Sequence, residues 1–153
     1  LPAESMRVSA IVAAQGELWN VLRQPLSLPL WIVVTWGVTY WGPMNLAGGA
    51  DLGGGIDAES SGRQRLAWGV ARRSMLFVFA AMGAAAFLGG PAGPVLPGWT
   101  WMLVKTLLVA GLTIHLGHGL GRVASVRALR VLWLGLLPLS FAALLIAGVE
   151  ALA

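Results

Sequence analysis

The residues able to do acid–base or ion-pair chemistry in this sequence are few and clustered. The stretch LAGGADLGGGIDAESSGRQRL, residues 46–66, sets Asp51, Asp57 and Glu59 ahead of Arg63 and Arg65 in a run of glycines. Glycine permits positive φ and close backbone approach, so such a segment can bring carboxylates and guanidiniums together. The plain alternative is a solvated loop. Arg72 and Arg73 follow inside one apolar stretch, and Lys105 lies inside another. An arginine at the bilayer centre costs between about 2.5 and 17 kcal/mol, so an intramembrane cation either snorkels to the headgroups or lines a polar path. His115 and His118 share a helical face, but no third ligand stands near them and no metal site is expected. The chain has no cysteine, which excludes disulfides, thiolate zinc sites and iron–sulfur clusters together. No phosphate-binding loop, nucleophile elbow or local Ser/His/Asp arrangement occurs, and the glycines of LGHGLGR, residues 116–122, have the wrong spacing for a dinucleotide loop. The expectation is no catalytic residue and no cofactor bound by this chain, any redox centre belonging to a partner.

What positions these residues is a membrane. Of 153 residues, 58% are hydrophobic and only 10% charged, and the mean hydropathy is +0.79. Those values lie outside the range of soluble domains. The apolar residues form four blocks, 26–41, 66–88, 99–120 and 131–153, separated by a polar loop, 42–65, and shorter connections. At about 1.5 Å per helical residue the last three reach roughly 33–35 Å, enough for the hydrocarbon layer, while the first reaches about 24 Å and is short, tilted or extended upstream. Pro25 suits a first helical turn; Gly42-Pro43 and Gly89-Gly90-Pro91 are stops. Trp31, Trp41, Trp68, Trp99 and Trp101 sit near block ends, as an aromatic belt requires. Residues 1–24 read as the tail of an earlier helix plus an interfacial connection. The fold expected is an all-α transmembrane bundle of about four spans in one domain. Ala80, Ala81, Ala84 and Ala85 beside Gly83 allow its second helix to approach a neighbour closely.

Basic residues set the orientation. With the glycine loop cytoplasmic, Arg63, Arg65, Arg72, Arg73, Arg122, Arg127 and Arg130 lie on that side, and Arg7, Arg23 and Lys105 toward the other. This is the direction the positive-inside rule favours. Loops 42–65 and 121–130 are then both cytoplasmic, in a multi-pass protein of the cell's inner membrane. The net charge of +4 is scattered around hydrophobic spans and makes no continuous basic face, so nucleic acid is not an expected partner.

Taken together, these segments resemble the H-type (subunit 1) membrane family of NADH:quinone oxidoreductase, respiratory complex I. IVAAQGELWNVLRQPL, residues 11–26, looks like the approach to that family's fifth membrane helix, and DLGGGIDAESSG, residues 51–62, resembles the second part of its acidic loop, with Asp51 and Glu59 at glutamate positions. FLGG, residues 87–90, resembles the end of the sixth helix, and LWLGLLPLS, residues 132–140, the start of the eighth. Lys105 and Arg122 fall on basic positions of the seventh helix and its exit. The departures lie in TYWGPMNLAGGA, residues 39–50, where Asn45 replaces an aspartate and Gly48 and Ala50 replace glutamates, and at Arg72, which stands where the sixth helix carries an acid.

The resemblance implies the later half of a larger membrane subunit, with lipid, quinone and the other membrane and peripheral subunits as partners and quinone as the substrate of the assembly. It implies that Asn45, Asp51, Glu59 and Arg63 border a quinone chamber and a coupling loop, and that Arg72, Lys105 and Arg122 are intramembrane charges or part of a proton path. Asp51 and Glu59 would perturb one another and pair with Arg63 or Arg122. The thinned acids suit two alternatives, a non-catalytic membrane scaffold and the equivalent subunit of a membrane-bound hydrogenase.

Overall fold

A computed structural model describes residues 7–16, 18–44, 60–121 and 123–152, and every described element is helical. In chain order they are α1 (Val8–Ala13), α2 (Asn20–Arg23), α3 (Ser27–Thr39), a 3-10 turn (Gly42–Met44), α4 (Gly62–Phe87), α5 (Gly98–Gly119), α6 (Ser125–Val131), a π-helical turn (Leu132–Leu136) and α7 (Leu137–Leu152). The last three run on as one rod. Pro138 can offer no N–H to the turn before it, and the helix widens there.

Among the described residues, three helices are long and apolar enough to cross a membrane: Gly62–Phe87, Gly98–Gly119 and Val126–Val149, of 26, 22 and 24 residues. At about 1.5 Å per residue they span roughly 39, 33 and 36 Å, against a hydrocarbon layer of about 30 Å. The first apolar block forms only the 13 residues of α3, about 20 Å. Its upstream extension is interrupted, because Gln24, with φ −131° and ψ 78°, leaves the helical region after α2. Downstream, Tyr40 takes the left-handed conformation at φ 52° and Gly42 follows at φ 61°, which ends α3.

α4 starts four residues before the second apolar block. Ser61 is extended and Gly62, Arg63, Gln64 and Arg65 are already helical. Arginine and glutamine are good helix formers, so the polar run continues the helix out of the apolar layer. The other end of α4 stops where Gly89 and Gly90 both take positive φ, 71° and 51°, a conformation glycine reaches without a Cβ penalty.

The core is the contact of α4 with α5, through Leu76, Ala80 and Ala84 on one side and Val109 and Ala110 on the other. In lipid, helix pairs are held by close van der Waals approach rather than by expulsion of water, so small residues at the seam are what the pairing needs. α3 leans on this pair. Its Trp31 indole lies against Gly83, where a Cβ would come within 2.7 Å of Nε1, and Nε1 donates to the Phe79 carbonyl at 3.0 Å. Trp36 Nε1 donates to the Thr113 carbonyl of α5 at 2.9 Å. Four threonines on buried faces, Thr35, Thr39, Thr106 and Thr113, each donate to the carbonyl four residues back. That disposes of a hydroxyl in a medium without water. The last span is different: no residue of its most apolar 18-residue stretch is buried.

Candidate functional site

Polar groups gather at the two opposite ends of the α4–α5 pair. At the first end, Tyr40, in its left-handed conformation at the close of α3, offers its carbonyl to the Arg72 guanidinium of α4. The chain then turns through Gly42, whose backbone lies directly on Gly117 of α5. A Cβ at Gly42 would meet Gly117 Cα at 2.9 Å, so both the positive φ and the close approach demand glycine. One residue on, the Pro43 carbonyl accepts from Val123 N–H at 3.1 Å. The root of the 42–65 connection is therefore tied to the exit of α5 and to the start of the next connection. The two polar connections begin at the same end of the bundle, as the sequence implied.

Between these elements lies a cleft of about 540 Å³ whose polar lining is Arg72, Arg73 and His118, with Trp41, Gly42 and Gly117 as its apolar floor. Arg72 is half-buried and Arg73 exposed. His118 Nδ1 lies 2.7 Å from the Ile114 carbonyl, which can only accept, so that nitrogen carries the proton and Nε2 is the free one. His115 does not line the cleft. Among the described residues no three His, Cys, Asp or Glu side chains stand close enough to hold a metal ion.

The other end is built on Lys105, which the sequence placed inside the third apolar block. The side chain is buried rather than extended to an interface, and among the described residues its partners are backbone carbonyls and two indole rings. It is only 4% exposed, and Nζ donates to the carbonyls of Leu88 at 2.6 Å and Ala92 at 2.7 Å. The Trp19 ring lies 4.5 Å from Nζ and the Trp101 ring 5.7 Å. Two amides complete the arrangement. Gln15 Nε2 donates to Ala85 and Ala86, and its Oε1 accepts from Gly89 N–H at 2.9 Å. Asn20 Nδ2 donates to Ala86 at 2.9 Å. The last carbonyls of a helix have no partner within it and carry the negative end of its dipole, so donors and a cation there are stabilising.

Lys105, Gln15 and Asn20 thus form a side-chain cap on the carboxyl end of α4. Nothing in the sequence singled out Asn20. Gln15 and Trp19 entered only as anchors of a family pattern, although a buried amide in so apolar a chain is itself a signal.

The structure does not bring Arg72 and Lys105 together. Leu88, which Lys105 holds, is 16 positions beyond Arg72, roughly 24 Å along the helix. Arg63 is exposed on the first turn of α4 and lines neither this cleft nor its neighbour. Asn45, Asp51, Glu59 and Arg122 lie outside the described residues.

Long apolar helices, self-satisfied hydroxyls and polar groups confined to the ends define a polytopic helical membrane protein. Comparison with known proteins gives the family: the NADH dehydrogenase family model matches residues 1–148, and the chain belongs to that family. It is 32% identical over 148 residues to the NADH-quinone oxidoreductase H-type subunit 2 of Cereibacter sphaeroides, covering 95% of this chain and 46% of the relative. Against the H-type subunit 1 of Rhodopseudomonas palustris (strain BisB5) the identity is 31% over 152 residues, 99% of this chain and 48% of the relative. The corresponding protein of Syntrophotalea carbinolica is 31% identical over 147 residues, 95% and 44% of the two chains. The chain spans about half the length of the curated relatives it matches.

Proposed function

We propose that this chain works as a membrane subunit of an NADH:quinone oxidoreductase, in contact with other membrane and peripheral subunits, and that its arginine end forms part of the wall of a quinone chamber. The carrying observation is the 540 Å³ cleft of Arg72, Arg73 and His118 at the root of the 42–65 connection. Family membership supports the reading, since the relatives are named as H-type subunits of NADH-quinone oxidoreductases. The cleft offers two guanidiniums as donors, with the free Nε2 of His118 beside them, over an apolar floor. Such a surface suits the carbonyl oxygens of a quinone and an anionic charge developing on them as electrons arrive. The chain supplies no redox group of its own; it orients the acceptor and sets the potential around it.

In the same reading, Asp51 and Glu59 pass a change of charge at the chamber toward Arg72, and both polar connections face the cytoplasm. Glu59→Gln is then expected to lower quinone reductase turnover and its inhibitor sensitivity while assembly is kept. Unchanged turnover in membranes containing the assembled variant would remove the coupling role. A scaffold role is favoured by the replaced acids at Gly48 and Ala50, and the hydrogenase-type alternative shares the same helices. Co-purification with a complex that reduces quinone supports the first reading, and purification in a complex without redox turnover supports the scaffold.

A further inference from the structure

The face of α4 that enters the core does not stop where the core stops. At 100° per residue, Leu76, Ala80, Gly83 and Ala84 share a stripe with Gly62, Arg65, Gly69 and Arg73. The first group packs against α5 and α3; the second lines a groove of about 440 Å³ to which, among the described residues, α4 alone contributes. Gly62 and Gly69 form its floor, because a Cβ at either would meet nothing within 4 Å. Arg65 and Arg73 are exposed at its edges, beside the exposed side chains of Leu66 and Val70. Arg72, at the groove's inner edge, is held on Tyr40.

Depth identifies what this groove meets. α4 exceeds the hydrocarbon layer by roughly 9 Å, so with Phe87 at the far interface its first six residues stand among headgroups. Helical side chains lean toward the helix N-terminus, which carries the Arg73 guanidinium up to the same level. The groove therefore presents two guanidiniums and a glycine floor at phosphate depth, with apolar side chains just below at acyl-chain depth. Guanidinium binds phosphate through paired N–H donors.

We propose that the Gly62–Gly69 groove of α4 is a binding site for an acidic phospholipid, its phosphate held by Arg65 and Arg73 and its acyl chains lying along Val70 and Phe77. The groove shares Gly69, Arg72 and Arg73 with the cleft of the proposed quinone chamber and is set apart from it by Gly62, Arg65 and Leu66; retention of lipid by the chain alone reads this groove without any quinone chemistry.

The test uses the whole polypeptide, purified in mild detergent and exposed to vesicles holding equal phosphatidylglycerol and phosphatidylcholine, with retained lipid counted by native mass spectrometry. Phosphatidylglycerol is expected to be retained over phosphatidylcholine. Arg65→Gln with Arg73→Gln is expected to reduce that preference about thirtyfold, roughly fivefold for each cation at an anionic surface. Gly69→Leu, which fills the floor and keeps every charge, is expected to reduce it as well, whereas Arg63→Gln leaves it intact. If the double glutamine variant also loses phosphatidylcholine, Arg65→Lys with Arg73→Lys takes its place and is expected to retain less phosphatidylglycerol than the parent chain. Undiminished preference in Gly69→Leu would reveal a diffuse basic surface instead of a site, and displacement of the lipid by millimolar inorganic phosphate would reveal a simple anion site. Either result overturns the proposal, as does equal retention of the two lipids.

Discussion

Replacing Lys105 with methionine keeps the length and apolar bulk of the side chain and removes its ammonium. Two charge-assisted hydrogen bonds are lost, to Leu88 and Ala92, each worth about 1.5–3 kcal/mol in a water-soluble protein. Contact with the Trp19 ring adds about 0.5–2 kcal/mol. Against this stands the cost of burying the ammonium, several kcal/mol, which methionine does not incur. Hydrogen bonds in membrane bundles are also worth less, averaging about 0.6 kcal/mol. The balance is a net loss of about 2 kcal/mol, because the methionine takes the ammonium donor from the Leu88 carbonyl at the negative end of α4 and from the Ala92 carbonyl of the connection after it. Reversible unfolding of the purified chain in mixed micelles of increasing SDS content, followed by tryptophan emission, measures it. Lys105→Arg, which keeps a cation and several donors, should recover most of the loss. Should Lys105→Met unfold within about 0.5 kcal/mol of the parent chain, the cap would contribute nothing and the reasoning would fail. The opposite pattern, parent-like stability of Lys105→Arg and Lys105→Met alike with loss of turnover in the assembled complex, would assign the ammonium to proton transfer.

Gly42→Ala is expected to destabilise by about 2–4 kcal/mol, since alanine must take the left-handed conformation at a cost of about 1–2 kcal/mol and press its Cβ on Gly117 Cα at 2.9 Å. Gly111→Ala, in a helix with nothing within 4 Å of the new Cβ, should instead stabilise by about 0.5–1 kcal/mol; the same micelle titration separates the two. The chain has no cysteine of its own, so single thiols introduced by Gly55→Cys and Ser125→Cys can be labelled without background. Both are expected to react with a membrane-impermeant reagent from the cytoplasmic side; reaction from opposite sides would contradict the Pro43–Val123 contact and the orientation together.

The long helices were legible because their signal is additive: a run of apolar residues closed by Gly89-Gly90-Pro91 states both the length of α4 and its end. The shortness of α3 was legible only as one of three possibilities, because the choice depends on two backbone angles, at Gln24 and Tyr40, that leave the hydropathy of the block untouched. Arg63 and Arg65 read as loop by their charge and fold as helix by their propensity. Arg72 could be recognised as a cation needing a polar partner, but one it finds is the Tyr40 carbonyl just past α3, 32 residues away. Lys105 shows the same blind spot. Every residue carries a backbone acceptor, so side-chain types alone do not point to the Leu88 carbonyl at the end of α4 or the Ala92 carbonyl in the connection after it. The Gly42–Gly117 contact belongs to the same class: each glycine is ordinary alone, and only their meeting explains either. Asn45, Asp51, Glu59 and Arg122 remain readings from the sequence, since they lie outside the described residues.

The last rod has a mechanical consequence. Trp133, Leu134, Phe141, Leu144, Leu145 and Val149 are all more than half exposed on it, and its Ser140 hydroxyl is spent on the Leu137 carbonyl of its own turn. Only one narrow face, through Leu132, Leu136, Ala143 and Ala147, is half-buried toward α3, so α7 feels little torque from the described residues. Its rotational setting is left largely to acyl chains or to a neighbouring helix.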